Sequence, residues 1–316
     1  MPLIAALLSA TALMGQTAPA QTAPQTAPQD PAATAVQDVE VTAQRQTAYE
    51  AARSFVDEIV ETPPGRGLAR WDGRVCVGVV NLRGAVAQAL VDQVSRRMLD
   101  IGMDIGEPGC KPNIMIIATV DGAATARALV QARPRNFNPG FSGTRQTIAD
   151  LERFQANDNP IRAWRLTVPV DADTGAPTVR LPGEDFKYRA IRQPSRLRTM
   201  DRNVFARTFV IVDVAQTGGY DVGALGDYIA MVSLAQIDGD AEVSGYDTIL
   251  NLFTDPSGAR QMTDWDLGYL RSLYAAELNE LHTSQQEGNV AERMTHQPRS
   301  EPAPQPEPAP RPAPQS

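Results

Sequence analysis

Near-continuous apolar runs punctuate this chain, and between them apolar residues recur at helical spacing. Residues 75–82, 113–119 and 207–214 are such runs, the pattern of strands buried on both faces. Residues 84–101 place Val86, Leu90, Val94, Met98 and Ile101 three or four apart, with Gln88, Asp92 and Ser95 opposite. That spacing predicts an amphipathic helix, closed by Gly102. Strand, helix and strand in this order predict a β-α-β unit with a parallel pair. Helices are expected near residues 123–132 and 145–156, and a hairpin from 164–170 and 178–181 around Asp171–Gly175. The stretch 222–237 is apolar nearly all round and so predicts a central helix. A last helix over 264–282 would bury Leu267, Leu270, Leu273, Tyr274, Leu278 and Leu281. An amphipathic helix over 47–61, stopped by Pro63-Pro64-Gly65, is expected to pack on the domain. The fold class is therefore α/β (or α+β): a mixed sheet with a β-α-β start, a central buried helix and a C-terminal helix.

Composition adds boundaries. The chain has 316 residues, 42% of them hydrophobic, enough for one substantial core. Residues 1–20 read as a signal peptide: an apolar run from Leu3 to Met14, then Ala18-Pro19-Ala20 as a small-residue cleavage site. No Lys or Arg precedes the run, so the start codon is open to reassignment; a plain apolar N-terminus is the alternative. Residues 21–46 form a low-complexity linker, 47–67 a helical extension, 68–283 a single domain, and 284–316 a Pro/Ala-rich tail. The expected location is periplasmic or secreted. Net charge is −8 and no basic patch is interleaved with aromatics, which argues against nucleic acid as a partner. No segment of the mature chain is long and apolar enough to be transmembrane.

The two cysteines leave two readings open. Cys76 lies in the first apolar run and Cys110 just before the second, so pairing of those strands would bring the sulfurs within bonding range. A disulfide there would contribute about 3–4 kcal/mol in the chain-entropy model. The other reading is two separate buried thiols.

The last third of the chain carries a family resemblance. The segment from Tyr228 to Asp238 resembles the H-E-x-x-H-x-x-G-x-x-H helix of metzincins without its ligands. Thr248-Ile249-Leu250-Asn251-Leu252-Phe253 resembles their Met-turn, with Leu250 where the Met stands, and residues 262–274 resemble their last helix, ending in Leu273-Tyr274. The resemblance implies a zincin-like fold whose zinc site is vestigial. Tyr228 stands at the first ligand position, Ile229 at the general base, Val232 at the second ligand and Asp238 at the third. A zincin needs two imidazoles one turn apart and a carboxylate beside them. This chain has two histidines, His282 and His296, both at or beyond the last predicted helix. No catalytic residue, metal site or cofactor is therefore expected.

Other constellations carry less. Asp171-x-Asp173-x-Gly175 lacks the downstream acid of a calcium loop and reads as a hairpin turn. Three functions remain: an exported, non-catalytic zincin-like module that binds or scaffolds an envelope protein or peptide; a hydrolase of another class using acids such as Asp213, Asp238 or Asp247; and a structural protein acting through its proline-rich tails.

Overall fold

The computed structural model describes residues 47–61, 67–138, 147–179, 196–255 and 257–296, within one compact unit spanning Gln44–Ser316. The expected signal peptide, the linker, residues 297–316 and the far end of the expected hairpin lie outside the described residues.

Strand β2 (Val77–Val80), helix α2 (Gly84–Asp100) and strand β3 (Ile114–Thr119) form the predicted β-α-β unit, with Val77 in register with Ile114 in a parallel pair. Leu90, Val94 and Met98 supply the buried stripe of α2. Cys76 and Cys110 are bonded, their Cα atoms 6.1 Å apart, because the loop before β3 runs back beside the start of β2.

The sheet is built around β5 (Asp201–Asp213). Its inner edge pairs in parallel with β3, from Ile114↔Thr208 to Thr119↔Asp213, and farther along with the two-residue β1 (Ala69–Arg70). Its other edge pairs antiparallel with β4 (Ile161–Asp171). Residues expected to fold back on β4 as a hairpin contribute only the bridge Val170↔Pro177; β4 takes β5 as its partner instead, along its whole length. Gly175 holds the intervening turn with φ +67°, a left-handed backbone that favours glycine. Among the described residues the result is a mixed sheet of five strands in an α/β fold, dominated by parallel pairs.

Alternation along β5 sends its side chains to both faces of the sheet and into three buried clusters, the smallest joining Val204 to Leu166, Val168 and Val170 of β4. Ile211 joins Trp164 of β4, Ala126 of α3 (Gly122–Ala132), Phe137 of α4 (Pro134–Phe137) and Phe154 of α5 (Ile148–Ala156). Phe205, Val210 and Val212 face the larger core under α2, α7 (Val222–Leu234) and α8 (Asp264–Ala275). Helix α1 (residues 47–59) packs into that core, as its amphipathic pattern predicts. Its Ala52, Phe55, Val56 and Ile59 are buried, and Phe55 meets Tyr246, Trp265 and Tyr269 edge-on at 5.0, 5.6 and 5.9 Å.

Helix α7 is central, as its all-round apolarity predicts, but shorter than expected. Between α7 and α2 the approach is too close for a side chain at Gly226, where a Cβ would come within 2.7 Å of Gln93. The one charge on the buried length of α7, Asp227, receives two bonds from Arg97 of α2 (2.7 and 2.9 Å), with further bonds from Gln93 and the Met262 amide. Helix α8 also stops early, at Ala275, because Arg70 Nη1 donates to the carbonyls of Leu273, Tyr274 and Ala276. After an extended stretch the chain forms α9 (Thr283–Thr295), burying Val290 and Ala291, where the sequence predicts the start of a tail. Among the described residues no helix is long and apolar enough to cross a membrane.

Candidate functional site

The C-terminal end of α7 decides the site. A helix end leaves carbonyls without intrahelical partners, and here a buried arginine takes them. Arg165 reaches across from β4 and donates Nη1 to the Val232 carbonyl (2.9 Å) and Nη2 to the Ile237 carbonyl (2.6 Å). Its charge lies where the helix dipole favours a cation. Nη2 also donates to Glu61 at 2.9 Å. Glu61 arrives there because the end of α1 runs antiparallel to residues 236–238, through the bridge Val60↔Ile237 and the bond from Asp238 N–H to the Ile59 carbonyl.

Above this floor lies a groove of about 70 Å³ beside β4, into which Tyr228, Val232 and Asp238 converge. These are the three positions that the metzincin resemblance sets at the zinc ligands. Ile229, which it sets at the general base, is 0% exposed and lies in the main core, and Leu250 is buried in the 3₁₀ turn Ile249–Phe253 that packs on α7. The Tyr228 ring rests edge-on against Phe253 at 4.9 Å, and burial pushes its phenol up to about 12. Asp238 accepts from the Asp240 amide at 3.0 Å.

Along Ile161–Val168 no described strand pairs with the outer edge of β4; residues 176–178 bond back only at its far end, Thr178 N–H to the Pro169 carbonyl and Asp171 N–H to the Ala176 carbonyl. Helix α5 forms the opposite wall, fixed by a capping box in which Thr147 and Asp150 exchange bonds. Burial opposes the charge on Asp150, yet the bonds from Thr147 and Arg153 outweigh it and hold its carboxyl below the usual range. Arg153 spans the groove from α5, 3.9 Å from Glu61 and 3.7 Å from Asp240. Burial raises the Glu61 carboxyl above its usual range; Arg165 pulls it down, while Asp150 and Asp238 push it up.

The donors present do not fit zinc, which takes four ligands, or three plus water. Tyr228 keeps its proton, Val232 has no donor and Asp238 is one carboxylate. The Arg165 guanidinium bonded at Val232 would also repel a cation. Among the described residues no three His, Cys, Asp or Glu side chains are grouped as metal ligands.

The acids considered for a different hydrolase are not gathered here. Asp213 and Asp247 do not line the groove. Asp213 caps α6 (Val214–Thr217) and accepts from the Gly122 and Ala215 amides. Burial works against its charge, but those bonds and Gln216 prevail and hold it below the usual range, which makes it a weak base. Asp247 is exposed. A wider concavity of about 630 Å³ lies beside α9, where Glu277 pairs with Arg198 and Glu280 accepts from Asn289 through Oε1, its buried Oε2 having no hydrogen-bond partner among the described residues.

Sequence reasoning missed Arg165, Glu61 and Arg153. Arg165 alone had a signal: a charged residue inside the apolar run Trp164–Val170, where a buried partner is required. No protein-family model, curated protein or solved structure matches the chain.

Proposed function

We propose that this is an exported, non-catalytic binding module of zincin-like design, which holds an extended peptide segment along the outer edge of β4. One observation supports the reading: Tyr228, Val232 and Asp238 line one groove beside β4, and Arg165 donates to the Val232 carbonyl, at the position the metzincin resemblance would give to a zinc ligand. The outer side of an edge strand carries backbone donors and acceptors that a visiting strand could pair with. The Cys76–Cys110 disulfide supports an oxidising compartment and so the periplasm or exterior.

The experiment combines metal analysis, a peptidase assay and hydrogen exchange on the purified chain with a pool of short unstructured peptides. The expected result is no retained zinc, no cleavage, and slower exchange of the amides of residues 161–168 when peptides are added. Stoichiometric zinc with peptide cleavage would end the proposal, as would unchanged exchange along β4.

A further inference from the structure

We draw no further inference here: the strongest candidate, the concavity of about 630 Å³ beside α9, gathers the acids Glu277, Glu280 and Glu292, and with Glu280 half-buried and already accepting from Asn289 nothing in the structure shows what would fill it.

Discussion

Two fully buried carboxylates, Asp227 and Asp266, hold the same two-residue segment by different means. Both are 0% exposed. Asp227 accepts from the Met262 amide and is neutralised by Arg97 of another helix. Asp266 accepts from the Thr263 amide, the Ile249 amide and the Thr248 hydroxyl, and each of these donors is a neutral dipole. The first acid is anchored by a countercharge that ties α7 to α2. The second joins α8 to the 3₁₀ turn beneath α7, and burial raises its carboxyl to about 6 despite those donors. A buried charge given a partner is a point of mechanical coupling; one given only dipoles becomes sensitive to protons. Both act on the helix whose end floors the groove.

The sharpest way to break the comparison is to remove the countercharge. Arg97→Met leaves Asp227 buried and unpaired, and urea unfolding should show a loss of about 3–5 kcal/mol. Adding Asp227→Leu should restore much of it, since the unpaired carboxylate is then removed from the α2–α7 contact. A small loss in the single variant would mean that Gln93 and the Met262 amide suffice, and the distinction would collapse.

Proton dependence is the next measure. Asp266 titrates at about 6 when folded against 3.8 for its ordinary value. Between those values the folded chain binds more protons than the unfolded one, so this group's contribution is fully present below about pH 4 and is lost as pH rises through 6. The loss amounts to about 3 kcal/mol at most. Asp150 and Asp213, held low, contribute in the opposite sense, stabilising above their unfolded values and losing that as pH falls. The measurement is therefore the difference between wild type and Asp266→Asn in urea series from pH 4 to 7. That difference should depend on pH; parallel curves would show that Asp266 is ionised throughout.

The smallest effect belongs to Thr263, which caps α8 through the box it shares with Asp266 and donates to the Asp247 carbonyl. Thr263→Ala should cost about 1 kcal/mol by thermal melting. It should also leave the response to Arg97→Met unaltered, because the Asp227 anchor does not use the Thr263 side chain.

Much of the framework was legible because its signals are local. The β-α-β unit, the stripe of α2, the run that became β5 and the isotropic apolarity of α7 each follow from periodicity within a short window. Helix ends were less legible. Residues 235–237 and 276–282 continue an apolar pattern, yet α7 and α8 stop where Arg165 and Arg70, distant in sequence, take their last carbonyls. The strand 164–170 looked like half of a local hairpin because its true partner lies beyond residue 200.

The site divides along the same line. By itself, the sequence determined that Tyr228, Ile229, Val232 and Asp238 lack the imidazoles of a zinc centre, since side-chain chemistry needs no fold to be read. Only the tertiary structure decided that three of those positions share a groove while Ile229 lies in the core. It also decided that Arg165 and Glu61, 104 residues apart, form the floor, and that Arg153 crosses above it. Those contacts join α1, α5, β4 and the end of α7, and a pairing between distant segments is fixed by packing and charge in three dimensions, leaving no periodic trace along the chain.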